Sequence, residues 1–273
     1  MKVFISVDME GVGGITSWKE MGSREAKELL TQEVNAVIAG IKDGSDKVEE
    51  VLVCDAHALG ENILVDLLDP DASLVRGAPR SFHMVEGLDN SFDMLFLVGY
   101  HGMAGARHAQ MDHTYSSYSI YNLRVNGRSV GETSLSAGFA GELGVPLVFV
   151  SGDQSVGEEA RELCPDVVTV VTKLGFSRFS AKLFNPKNVR KRLREGAKKA
   201  VLNASRVKPV VFEKPLRVEI DFVDTAMAEL VSMVPGVESL GGRTVGFVAE
   251  DFKVFHRFLQ VATILARSTK ELR

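Results

Sequence analysis

Five short apolar runs recur along the chain: "KVFISV" (2–7), "EVLVCD" (50–55), "MLFLVGY" (94–100), "PLVFVSGD" (146–153) and "DVVTVVT" (166–172). They are rich in Val, Ile, Leu and Phe and alternate little, the pattern of strands covered on both faces. Between them the period lengthens to that of a helix. "SREAKELLTQEVNAVIAGIKDG" (23–44) brings Leu29, Val34, Val37, Ile38 and Ile41 toward one side and stops around Gly44. "GETSLSAGFAGELG" (131–144) predicts a weaker, glycine-containing helix and "SVGEEARELC" (155–164) a short charged one. Strand alternating with helix predicts an α/β fold: a mostly parallel sheet with helices on both faces.

After residue 175 the texture changes. "NPKNVRKRLREGAKKAVLNA" (185–204) is a basic helix with Asn185 as N-cap and Pro186 at its first position. "LRVEIDFV" (216–223) alternates like a half-buried strand, and "RTVGFVAEDF" (243–252) reads as a strand feeding a final helix. The expectation is a main α/β domain over 1–175 and a smaller C-terminal α/β subdomain over 176–273.

Composition narrows the class. The 273 residues, 45% apolar and 25% charged, suit a globular protein with a substantial core. A net charge of −4 argues against nucleic acid as a partner, and the basic stretch 187–199 reads as a solvated or subunit-contacting face. Cys54 and Cys164 form neither a metal-type pair motif nor a disulfide framework, so free thiols in a reducing compartment are expected. No apolar run reaches the length of a membrane span, and the N-terminus lacks the apolar region of a signal peptide. A cytoplasmic protein that engages neither membrane nor nucleic acid is the expectation.

In open parallel sheets ligands bind beyond the carboxyl ends of the strands. The first tip carries Asp8 and Glu10, the second Asp55 and His57, the third His101, the fourth Asp153. Metal-capable side chains thus recur where a parallel sheet brings them together. Asp8 and Glu10 are two apart, so an extended chain points both the same way. Taken alone, such a pair is more often a solvated acidic turn. The glycines that follow lack the third glycine of a dinucleotide fingerprint, and acids ahead of them repel a pyrophosphate. Asp55 is placed to orient the imidazole of His57. The loop "HGMAGARHAQMDH" (101–113) holds His101, His108 and His113, three of the six histidines; His108 reads as merely exposed, and His83 and His256 as structural or surface. Glu132 falls near a helix start, which the helix dipole also favours.

Charge favours two metal ions over one. Asp8, Glu10 and Glu132 supply three negative charges, with His57 and His101 as neutral ligands. Two divalent ions carry four positive charges, and a bridging hydroxide neutralises the remainder. Five ligands exceed the four of one tetrahedral zinc, whereas a bridging carboxylate, with Asp8 as the candidate, holds two ions about 3.5–4 Å apart. Mixed imidazole and carboxylate ligands suit zinc better than magnesium.

The motifs "SVDMEGVGG", "VCDAH", "MVEGLD" (84–89), "LVGYHG", Met111-Asp112-His113, "NGRSVGE" (126–132), "PLVFVSGD" and "MVPGVE" (233–238) stand in one order over nearly the whole chain. In that order and spacing the chain resembles the DppA-type D-aminopeptidases, the M55 family of metallopeptidases. The resemblance implies a site with two zinc ions per subunit held by Asp8, Glu10, His57, His101 and Glu132, with His113 as the catalytic histidine. The loop before His113 is one residue longer than the family's, which leaves His108 as the alternative. It also implies a homodecamer of two pentamers. The reading is an aminopeptidase that cleaves the N-terminal amide bond of a short peptide or aminoacyl amide, with D-amino acid preference. The alternatives are another two-metal amidase or deacylase, and a metal-binding protein without catalysis.

Overall fold

The structure, a computed structural model, describes residues 1–272. In chain order the first half comprises β1 (Lys2–Val7), α1 (Arg24–Gly44), β2 (Glu50–Asp55), β3 (Ala72–Val75), β4 (Met94–Tyr100), β5 (Ile120–Val125), β6 (Arg128–Ser129) and α2 (Glu132–Glu142). There follow β7 (Leu147–Asp153), α3 (Gln154–Leu163), β8 (Val168–Ser177), β9 (Ser180–Leu183), α4 (Pro186–Asn203) and β10 (Leu216–Phe222). The chain ends with α5 (Thr225–Ser232), β11 (Val237–Ser239), β12 (Thr244–Ala249) and α6 (Phe252–Ser268).

The five apolar runs become β1, β2, β4, β7 and β8, neighbours in one seven-stranded sheet of order β3-β2-β1-β4-β7-β8-β9. All its pairings are parallel except β8 with β9. α1 and α4 pack together with α4 against β7 and β8, while α2 packs on α3 and β4, and α3 on β7 and β8. Ser23 caps α1 by accepting from Ala26 N–H (3.1 Å), and Val34, Val37, Ile38 and Ile41 are buried as the periodicity requires. Leu30 takes the fully buried place expected of Leu29. Gly40 lets α1 meet α4 closely, since a Cβ there would sit 2.2 Å from the Arg194 carbonyl oxygen.

A second, antiparallel sheet has the order β11-β12-β10-β5-β6. It draws β5 and β6 from before residue 175 and the other three strands from after it, while residue 175 itself lies within β8. α6 packs against α2, α5 and β10, and one continuous apolar core runs from Val3 to Ala266. β3, β5, β9 and α5 carry no clear periodic signal. β5 has polar Asn122 and Arg124 mid-strand because Arg124 pairs with Glu219 (2.7 Å) and Asp221 (2.5 Å) across on β10. Both cysteines are buried and unpaired, and no helix among the described residues is long and apolar enough to cross a membrane.

The sheet order reverses direction at β1, whose neighbours β2 and β4 continue the chain to opposite sides. That switch point opens a crevice beyond the strands' carboxyl ends.

Candidate metal centre

β1 ends at Val7, and the two acids beyond it converge through a turn rather than an extended strand, closed by Val12 N–H on Met9 O (3.1 Å). Gly11 permits that path: a Cβ there would lie 1.9 Å from the Tyr100 carbonyl oxygen. The turn is clamped from β8. Thr172 Oγ1 donates to Gly11 O (2.5 Å), and the buried Lys173 ammonium donates to the carbonyls of Glu10 (2.5 Å), Val12 (3.0 Å) and Ile15. A fully buried lysine in the middle of β8 thus sets the backbone that presents Glu10.

Around this turn the five ligand candidates meet. His57 Nδ1 lies 3.0 Å from Asp8 Oδ1 and 3.0 Å from Glu10 Oε2. His101 Nε2 lies 3.4 Å from Asp8 Oδ2 and 3.6 Å from Glu132 Oε1. The three carboxylates and His101 are all buried. Asp8 stands in the middle, one oxygen toward His57 and the other toward His101. His113 Nε2 is 3.6 Å from Glu132 Oε1, and its ring stacks on His101 with centroids 4.2 Å apart.

Both stacked histidines have one ring nitrogen committed. His101 Nδ1 bonds Gly102 O (2.9 Å) and His113 Nδ1 bonds Met111 O (2.9 Å). A carbonyl accepts only, so these nitrogens carry protons, which leaves each ring's Nε2 as the atom free to coordinate at the site. The buried His101 Nε2 has no hydrogen-bond partner, and Glu10 Oε2 has only its 3.0 Å contact with His57. Orphaned buried polar atoms of this kind are what a cation satisfies. Donor atoms of Asp8, Glu10 and His101 lie within 4.8 Å of one another, as do those of His101, His113 and Glu132. The residues therefore fit divalent metal.

Without metal the cluster behaves as buried ion pairs. Burial opposes charge on Glu10, but His57 outweighs it and holds the carboxyl well below its usual range. Burial likewise works against charge on Glu132, and His101 brings it down to about 2. Desolvation disfavours the imidazolium of His57, yet Glu10 and Asp8 hold its pKa well above the ordinary value; for His101, Glu132 does the same against burial. A bound cation takes the place of those protons.

Two other strand-tip acids do different work. Asp55 accepts from Asn62 N–H (2.5 Å), Asn62 Nδ2 (2.8 Å) and Ile63 N–H (2.8 Å). It shapes the loop carrying His57 and does not touch the imidazole as expected. Asp153 caps α3 through Ser155 and Val156 N–H and also receives Gln110 N–H (2.6 Å), tying down the histidine loop. His108 is exposed and bonds Phe176 O (3.0 Å). Trp18 escaped sequence reasoning: its indole N–H donates to Glu10 Oε1 (2.8 Å), and its ring meets His113 edge-on at 5.9 Å. His83 also lines the cavity, from a left-handed backbone (φ 42°) that no periodicity reveals.

Glu33 on α1, fully buried, accepts from Gly13 N–H (2.9 Å) just beyond the metal turn. Burial pushes its carboxyl from 4.5 up to about 8. A group with a raised folded-state pKa contributes stability that is complete below its unfolded value and lost as pH rises through the folded one. The neutral isostere Glu33→Gln removes that loss. Between about pH 5 and about pH 9 the wild type is expected to lose on the order of a few kcal/mol more unfolding free energy than the variant. Urea unfolding of both proteins across that range checks it, and parallel profiles would contradict it.

The ligand cluster opens on a cavity of about 300 Å³. A larger cavity of about 620 Å³, near Val125, Cys164 and Val211, shares no lining residue with it and contains no clustered ligands.

Known proteins match nearly the whole chain. The family model peptidase M55, D-aminopeptidase, matches residues 1–261. A D-aminopeptidase of Bacillus subtilis (strain 168) is 34% identical over 275 aligned positions, covering 98% of this chain and 99% of that protein. A solved structure, described as the Zn-dependent D-aminopeptidase DppA from Bacillus subtilis, a self-compartmentalizing protease, superposes with a TM-score of 0.94 at 34% identity, covering 98% of each chain.

Proposed function

This chain belongs to the D-aminopeptidase family of peptidases, and from that premise we propose that it is a zinc-dependent aminopeptidase using two ions per subunit to release a D-residue from the N-terminus of a short peptide. The observation that carries the reading is the divided environment of Asp8. Its Oδ1 faces His57, beside Glu10, and its Oδ2 faces His101, beside Glu132. One carboxylate between two sets of donors is the arrangement that bridges a pair of ions. Asp8, Glu10 and His57 would hold one, and Asp8, His101 and Glu132 the other.

Zinc supplies Lewis acidity there, polarising a scissile carbonyl and activating water at neutral pH. The chain's own groups do the rest. His113, with its proton fixed on Nδ1 by Met111 O, presents a basic Nε2 at the cavity. It takes the proton of the attacking water as the C–O bond forms and the carbonyl π pair moves to oxygen, then passes that proton to the amine nitrogen as the C=O bond re-forms and the C–N bond breaks. Trp18 fixes Glu10 and walls the ring of His113, and the buried floor limits bulk water. D-preference is supported by the family and by the solved relative, and a closed homo-oligomer by that relative's self-compartmentalizing character alone; for it we take the homodecamer.

The test combines elemental analysis of purified protein, sedimentation velocity, and a screen of D- and L-aminoacyl amides against acylated amines. About two zinc ions per chain with turnover of D-aminoacyl amides is the expected result. Turnover of acylated amines alone would make it an amidase of another kind.

A further inference from the structure

The ligands occupy only part of the 300 Å³ cavity. Another part of its wall carries two cations from the end of the chain, Arg267 on α6 and Lys270 just beyond it. Both are exposed, and neither forms an ion pair among the described residues. The Lys270 ammonium sits 4.0 Å from the ring centroid of Tyr118, itself a cavity residue. The aromatic face holds that charge at the cavity wall without neutralising it. Basic residues near a helix C-terminus are also favoured by the helix dipole. That preference acts on any side of the helix and does not require both charges to face the one cavity that holds the ligand cluster.

An aminopeptidase substrate of two or three residues has two charged ends. The amino end belongs with Asp8, Glu10 and Glu132, next to the scissile bond. The other end is a carboxylate, and the cavity offers two uncommitted cations for it. The dimensions agree: two extended residues span about 7 Å, and a sphere of the cavity's volume is about 8 Å across. We propose that Arg267 and Lys270 form a carboxylate-binding subsite that recognises the free C-terminus of a dipeptide, so that the enzyme selects peptides by length as well as by their first residue. The subsite rests on the aminopeptidase reading and adds a specificity that the ligand cluster alone does not supply. Longer peptides carry their carboxylate beyond reach, and C-terminal amides lack it.

The experiment compares alanyl-alanine, in D,D and L,L forms, with the corresponding C-terminal amides. The proteins are the zinc-loaded full chain, the double variant R267A/K270A and the charge reversal Lys270→Glu. In the wild type the free acid is expected to have a KM about tenfold or more below that of the amide, the size of one charge-assisted contact. The double variant should lose that difference through a KM that rises for the free acid far more than for the amide, and Lys270→Glu should favour the amide. Calorimetric binding of the same pairs reads the subsite independently of turnover. Equal discrimination by wild type and double variant, in kinetics or in binding, overturns the proposal. Binding that distinguishes acid from amide without hydrolysis of either keeps the subsite and overturns the aminopeptidase reading. Both variants lie on exposed positions of the last turns, so loss of folding does not mask the result.

Discussion

His113→Ala is expected to retain the wild-type metal content and to lose kcat by about 10²–10⁴-fold, the contribution of a positioned general base and acid. The expectation follows from how the ring is held. Its Nδ1 is committed to Met111 O, its face stacks on His101, and Trp18 abuts it edge-on. The backbone delivering it is strained, with left-handed φ at His108 (55°), Met111 (52°) and Tyr115 (62°), none of them glycine. Such a loop is kept where the placement of a side chain matters. Glu132 is secured independently of His113, since its Oε1 also accepts from Tyr115 N–H (2.6 Å). The alanine variant therefore leaves the remaining ligands in place. Metal content separates two outcomes. Unchanged zinc with near-wild-type turnover would take His113 out of the chemistry. Loss of zinc would make its Nε2, 3.6 Å from Glu132, a ligand rather than a base. His108→Ala, on an exposed ring bonded to Phe176 O, should leave both quantities unaltered.

The parallel sheet was legible because strands buried on both faces need continuous apolar residues, and β1, β2, β4, β7 and β8 have them. The meeting of the candidate ligands was legible for the same reason, since the polar residues that follow the runs of β1, β2 and β4 lie just beyond the strand ends. What the sequence could not reveal were contacts made across long separations. Lys173 reaches the carbonyls of Glu10, Val12 and Ile15 from more than 150 positions away, and nothing in "VVTVVTK" marks its ammonium as buried. Asp55 illustrates the converse. Its spacing from His57 suited an orienting carboxylate, but the backbone N–H groups of residues 62 and 63 and the Asn62 side-chain amide compete for it and win, because three short hydrogen bonds satisfy a buried carboxylate more fully than one imidazole. β5 was hidden because its polar residues are paid for by partners on β10, which periodicity along one segment cannot show.

Asp8→Ala should lose both zinc ions, and with them all measurable peptidase activity. The argument turns on the two oxygens of one carboxylate. Oδ1 is shared with His57 and Oδ2 with His101, so the alanine leaves the donors on each side one short at once. Losing merely an outer hydrogen-bonding partner of a metal site costs about 10–100-fold in affinity, and removal of a shared ligand costs more at both positions. His57→Ala provides the contrast. It strips only the side formed with Glu10 and leaves Asp8, His101 and Glu132 intact, so one ion should remain. Elemental analysis reads the difference directly, and circular dichroism of the metal-free proteins shows whether either variant has changed its fold. Removing Asp8 takes one partner from His57 and one from His101, but Glu10 still pairs with His57 and Glu132 with His101, so the metal-free fold should persist. Two ions retained by Asp8→Ala would mean that the bridging atom is not this carboxylate. One ion retained would assign Asp8 to a single position and leave the spacing between the two metals to another ligand.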